Sequence, residues 1–288
     1  LKTQYLKNVV KCLKDVMEMI DTIKIAISYS GRPHWVEKAR LQQSIDTTTG
    51  VFKAVANPSS AYKKMGVCQP RLTYTERPFG LHDKRHELAI ELSLPKLMFG
   101  NNFSELTDAN FAVVVKKLSD VLRITYNVWL LPHMLQQASV GKIDYSKNII
   151  FTDQTPVSSI VNNIQRANIS KTYDVQNTDF KNGGYVYHIH TNCLDVAIYD
   201  KVADLKQEKV SPKRSREKDG FIQMDLLDEL EKHKRVTVAR FEVRINGVRK
   251  IRSELASIGI VNNLTFQEMF STDTVSYTHL RAHETVLD

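Results

Sequence analysis

Two neighbouring stretches, Tyr185-Val186-Tyr187-His188-Ile189-His190 and Leu194-Asp195-Val196-Ala197-Ile198-Tyr199-Asp200-Lys201, carry groups able to act on a phosphodiester. Successive side chains of a strand point to opposite faces, so His188 and His190 share one side, about 7 Å apart, with Tyr185, Tyr187 and Ile189 on the other. In the second stretch Leu194, Val196 and Ile198 form an apolar row, and Asp195, Ala197, Tyr199 and Lys201 lie opposite. Two further segments alternate in the same way. Lys142, Asp144 and Ser146 alternate with Ile143 and Tyr145, and Arg240, Glu242 and Arg244 alternate with Phe241, Val243 and Ile245. With the apolar rows turned to a common core, Asp144, His188, His190, Tyr199 and Glu242 meet on one polar surface.

Imidazoles and carboxylates together suit a divalent cation, Mg2+ or Mn2+, that polarises a phosphoryl oxygen. A neighbouring tyrosine hydroxyl can then attack the phosphorus to form a phosphotyrosine. A free tyrosine, with a pKa of about 10, is a weak nucleophile at neutral pH, so Lys201 or the metal has to favour the phenolate. Plainer readings stand beside this one: His-x-His as a solvated sheet face, and Tyr199-Asp200-Lys201 as the end of a strand.

Such a surface needs a sheet to carry it. Alternation and turn residues predict strands over about 21–29, 51–56, 70–77 and 86–94, then a helix over about 107–122 opened by Thr107-Asp108. A strand at about 138–151 and a helix at about 156–167 follow. Strands at about 184–191 and 194–201 would be joined through Thr191-Asn192-Cys193. Charged helical stretches over about 201–218 and 222–234, a strand at about 236–246 and a helix at about 248–257 complete the pattern. Runs of strands broken by single helices favour the α+β class, an antiparallel sheet covered by helices, over a doubly wound parallel sheet. One domain is expected, with a pseudo-duplicated sheet as one form of it. Phe99-Gly100-Asn101-Asn102 reads as a turn, and the aromatic pairs Phe99/Phe103 and Tyr126/Trp129 read as core.

The 288-residue chain has 40 Lys and Arg against 32 Asp and Glu, a formal net charge of +8, and 42% hydrophobic residues. That balance excludes an acidic disordered chain and suffices for a sizeable core. No run approaches the roughly 20 apolar residues of a membrane span, and no signal peptide is recognisable, which predicts a cytoplasmic protein without a membrane partner. Cys12, Cys68 and Cys193 lie far apart without metal-ligand spacing, which predicts reduced thiols. Residues 275–288 resemble a translated sequencing adaptor and are set apart, His279 and His283 included. Residues 1–18 read either as upstream translation ahead of Met19 or as an amphipathic helix on Leu6, Val9, Val10, Leu13, Val16 and Met17. The expected domain runs over 19–274, truncated at its C-terminal side.

His188-Ile189-His190 resembles the motif of the HUH single-strand endonucleases, which initiate rolling-circle replication and plasmid mobilisation. Further segments are similar to the replication-initiation proteins of filamentous phages and related rolling-circle plasmids, over about residues 19–270. They are Met19-Ile20-Asp21-Thr22, Ile143-Asp144, Ile198-Tyr199-Asp200-Lys201 before a charged helix, and Ala239-Arg240-Phe241-Glu242-Val243-Arg244. The resemblance implies a Rep-like nicking domain in which Tyr199 is the nicking tyrosine, Asp144 and Glu242 are metal-site acids, and Lys201 supports the phosphate or the nucleophile. It implies origin DNA, single-stranded or supercoiled, as the partner, with a host helicase and polymerase. Two departures are visible. The filamentous-phage type does not uniformly carry the two histidines, and HUH proteins usually place the tyrosine on a helix, whereas Tyr199 reads as a strand end.

Arg240, Arg244, Arg249, Lys250 and Arg252 on and after the Glu242 strand, and Lys206, Lys209, Lys213, Arg214, Arg216 and Lys218 before it, suit contacts to a polyanion backbone. Glu208 and Glu217 leave the earlier run equally readable as a solvated helix face. Two rivals of other classes share these residues. One is a basic DNA-binding or packaging module without catalysis, and the other is a phosphodiesterase that uses the same acids to activate water.

Overall fold

The computed structural model describes residues 19–59, 67–80, 82–104, 106–151, 153, 155–165, 174–179, 185–190, 193–206, 237–257 and 263–271. The first half of the chain supplies β1 (Met19–Tyr29), β2 (Gln42–Asp46), β3 (Val51–Ala56), β4 (Arg71–Phe79) and β5 (Asp83–Ser93). The second supplies β6 (Ser139–Phe151), β7 (Asp174–Asp179), β8 (Tyr185–His190), β9 (Leu194–Asp200) and β10 (Thr237–Asn246). All ten join one sheet in the order β2-β3-β4-β5-β1-β6-β10-β9-β8-β7. Every pairing in it is antiparallel.

Period-two alternation divides the sheet into an apolar and a polar face. β1 buries Ile23, Ile25 and Ile27, β5 buries Leu88, Ile90 and Leu92, and β10 buries Phe241, Val243 and Ile245, all in one core. Each such side chain stabilises the fold by about 2 kcal/mol when fully removed from water. Among the described residues the α-helices are α1 (Leu94–Phe99), α2 (Phe111–Tyr126), α3 (Pro132–Gln136), α4 (Val157–Gln165), α5 (Lys201–Lys206), α6 (Val248–Ser257) and α7 (Phe266–Met269). α2 brings Val114, Val115, Leu118 and Leu122 to the core at helical spacing, and α6 brings Ile251 and Leu255. Asn127 in the left-handed region, φ +56°, ends α2.

The two halves of the sheet repeat each other. β1 and β6 pair at the centre, and each flanks a meander that returns from its own outer edge: β2 to β5 on one side, β7 to β10 on the other. Ile23 pairs with Ile143 across the centre, with Leu92 on its other side, while Ile143 pairs with Ile245. A pseudo-two-fold through the Ile23–Ile143 pair thus sets β5 in the place of β10. Glu87, Ala89 and Glu91 then stand where Arg240, Glu242 and Arg244 stand in the second half.

The antiparallel sheet with helices matches the α+β expectation, and most predicted strands and helices lie within a few residues of the observed ones. β2 and β7 were not legible in the sequence. Both are outermost strands with few apolar residues, held by backbone pairing to one neighbour. The strand predicted to reach residue 94 stops at Ser93, where Pro95 in the first turn favours α1 and Gly100, φ +74°, closes it. Residues 1–18 and 275–288, Lys213, Arg214 and most of the charged stretches over 201–218 and 222–234 lie outside the described residues. Among the described residues no helix is long and apolar enough to cross a membrane.

Candidate active site on the polar face

Register gathers the sequence-predicted groups. Arg244 pairs with Asp144 on β6 and Asp195 on β9, Glu242 with Ser146 and Ala197, and Arg240 with Asn148 and Tyr199. His188 pairs with Ala197 and His190 with Asp195, one strand further out. Side chains of directly paired residues share a face, so Asp144, Glu242, Tyr199 and His188 all belong to the polar one. The side chain of His190 lies outside the described residues.

Glu242 is the hub. Its Oε1 accepts from Tyr199 Oη at 2.8 Å and from Arg240 Nε at 2.7 Å, and its Oε2 accepts from Arg244 Nη2 at 2.7 Å. Arg240 is fully buried. Its Nη1 donates to the Asn102 carbonyl at 2.9 Å and to Asn148 Oδ1 at 3.1 Å, and its Nη2 stands 3.0 Å from Asp21 Oδ2. Those partners come from β1, β6 and the segment after α1, so one guanidinium binds together both halves of the sheet. The sequence reading placed Arg240 among the phosphate contacts. In the structure its donors all turn inward, because the segment around Asn102 roofs this end of the face. Arg244 is different: it is 39% exposed and also approaches Asp195 Oδ2 at 3.5 Å.

Charge and burial set the protonation states. Burial alone would raise the Glu242 carboxyl, but the Arg240 and Arg244 guanidiniums overcome it and hold the acid well below the usual carboxylate range. Burial pushes the Tyr199 phenol well above its ordinary value, and the Glu242 charge adds to that against Arg240. Burial lowers the Lys201 ammonium to about 8, with Arg240 repelling it further. Lys201 Nζ stands 6.0 Å from the ring centroids of both Tyr199 and Phe103. Asp144 is raised to about 6 by burial, which outweighs its neighbours Lys142 and Arg244. Its Oδ2 meets Lys142 Nζ at 3.2 Å, while its buried Oδ1 has no hydrogen-bond partner. His188 Nε2 lies 3.2 Å from Asp195 Oδ1.

Other predicted residues fall elsewhere. Arg249 and Lys250 ride on α6, whose Ile251 and Leu255 pack on the apolar face, and Lys250 pairs with Glu254. The structure therefore does not bring them to Tyr199. Two aromatics expected in the core are exposed, Trp129 at 62% and Phe99 at 37%. Trp129 leaves the helix after Asn127, donates Nε1 to Asn127 Oδ1 and takes Arg123 over its ring. Sequence reasoning assigned no role to Asp21, Asn102 and Asn148; of these only Asp21 carried a signal, in the Met19-Ile20-Asp21-Thr22 segment. Among the described residues no group of three His, Cys, Asp or Glu side chains is arranged to hold a metal ion. No family model matches the chain, and no curated protein matches it.

Proposed function

We propose that the chain is a DNA nicking-joining endonuclease that initiates rolling-circle replication of a phage or plasmid. The observation that carries the reading is the Tyr199 hydroxyl 2.8 Å from Glu242 on a sheet face that also holds Arg244, with Lys201 at the start of α5 bringing Nζ to 6.0 Å from the tyrosine ring. Tyr199 Oη attacks the scissile phosphorus at the origin; the new bond is Tyr–O–P and the bond broken is P–O3′. The 5′ phosphate stays on the protein, and the 3′ oxygen leaves as an alkoxide that takes a proton from water to become the hydroxyl that a polymerase extends. Glu242 aims the phenol through its hydrogen bond. Lys201, whose ammonium is pulled down to about 8, takes up the phenol proton in its amine form. Half-exposed Arg244 meets the phosphate oxygens, and buried Arg240 positions Glu242.

A divalent cation, Mg2+ or Mn2+, belongs to the proposal, and when bound it would polarise the phosphoryl oxygens. The donor that fits it is Asp144, whose Oδ1 is buried without a partner; Glu242 fits the groups it already holds. His188, on the same face beside Asp195, remains a candidate ligand.

The test is Tyr199→Phe. The parent should form a covalent adduct with labelled origin oligonucleotide in Mn2+, seen on a denaturing gel, and the variant should form none while still binding DNA. Equal nicking by both proteins removes Tyr199 as the nucleophile. A non-catalytic DNA-binding module is the second reading, favoured by the way Glu242 is saturated by arginines. It expects no adduct and no nicking from the parent.

A further inference from the structure

The first half of the sheet carries a second basic surface on the same face as Tyr199. Lys142, Lys24, Glu91 and Arg71 form one cross-strand row, and Ala26, Ala89 and Thr73 form the next. Lys53 follows on β3 opposite Thr75, and Arg77 pairs with Arg85 beyond it. Lys24, Lys53, Arg71, Arg77 and Arg85 are all exposed, and none of them makes a salt bridge among the described residues. Of the acids on this side, Glu91 is paired with Lys142 at 3.1 Å, and Asp46 is tied to the Thr48 and Thr49 amides. That leaves Asp46, whose charge reaches Lys53, with Glu87 and Asp83 against five exposed cations. The small row between them keeps the middle of the surface low. At its end Phe79 is 50% exposed, with Arg85 stacked on its ring at 3.7 Å.

Cations along a low track with an exposed aromatic match a nucleic-acid strand, whose phosphates meet the cations while an unpaired base stacks on the ring. In a duplex the base faces are already covered by their neighbours. β3 lies six strand spacings from β9, so the track spans about 29 Å from Lys53 toward Tyr199. We propose that the polar face of the first half binds single-stranded DNA and leads it to the tyrosine, an inference that rests on the nicking-enzyme reading for its direction.

The experiment measures binding of labelled oligo-dT over a salt series. The variant is the triple Lys53→Gln/Arg71→Gln/Arg77→Gln, all exposed positions. The control triple is Lys38→Gln/Arg40→Gln/Lys116→Gln, which removes as much charge from the helical side. The track variant should bind at least tenfold more weakly, with a salt slope smaller by about 2, since each lost single-strand phosphate contact removes about 0.7. The control should bind as the parent does. Unchanged affinity in the track variant, an equal loss in the control, or tighter binding of duplex than of oligo-dT each overturns the proposal. Tyr199 adduct formation is scored in parallel on the parent. A parent without adduct that still shows the selective loss sustains the track and removes the nicking reading alone.

Discussion

The Tyr199 hydroxyl donates to Glu242 Oε1 at 2.8 Å from an adjacent antiparallel strand, and that same oxygen accepts from Arg240 at 2.7 Å. A phenol held protonated therefore rests on a carboxylate held ionised. In this arrangement the phenol keeps its proton, and Arg244, the partly exposed member of the cluster, holds the other oxygen of the same carboxylate.

Glu242→Gln should destabilise the fold by about 3 kcal/mol, because it strips the counter-charge from two arginines. The pH dependence gives a second check. Glu242 has a depressed pKa in the fold, so its contribution is complete above the ordinary 4.5 and is lost as pH falls below it. Urea denaturation between neutral and acid pH should show a flatter profile for the variant; parallel profiles would contradict the assignment.

Arg240→Met should cost about 3–5 kcal/mol, since it leaves Asp21 and Glu242 buried without their partner. Arg240→Lys should recover little of that. An ammonium cannot reproduce the fork that reaches Asp21, Asn102, Asn148 and Glu242 together. Recovery of parental denaturation midpoints by the lysine variant would mean that charge alone matters at this position.

The rate of adduct formation should rise with pH through about 8, the region in which Lys201 loses its proton. Lys201→Met should slow the step by about 100-fold and flatten the profile. A methionine variant that keeps the parental pH profile assigns the proton to another group.

Asp144→Asn should raise stability at pH 7 by about 2 kcal/mol while lowering nicking. Its pKa in the fold, about 6, lies above the ordinary 3.8. The stability it contributes is thus present below about pH 4 and lost as pH rises through 6. A variant less stable than the parent at pH 7 would show that the Lys142 ion pair outweighs the burial.

The polar face was legible because alternation alone fixes which side chains point together. Ile143 and Tyr145 against Asp144 and Ser146, or Phe241 and Val243 against Glu242 and Arg244, can be sorted without coordinates. Register was not legible, and register decides that Tyr199 stands opposite Arg240, within diagonal reach of Glu242, while Asp144 meets Arg244. The role of Arg240 was equally hidden. Its burial depends on Asn102, 138 residues away, folding back over the sheet. Trp129 failed for a local reason, since an Asn in the left-handed region at position 127 turns the chain off the helix.

The pairing of Ile23 with Ile143 joins positions 120 residues apart. On the ribosome, strands β1 to β5 can close their meander first, yet the outer side of β1 stays unzipped until β6 emerges. An unpaired edge rich in isoleucine invites association between nascent chains. The Arg240 hub completes itself later still, because Asp21, Asn102 and Asn148 wait for a guanidinium on the last strand of the sheet. A truncated or stalled chain would thus hold the first meander with these three groups unmatched.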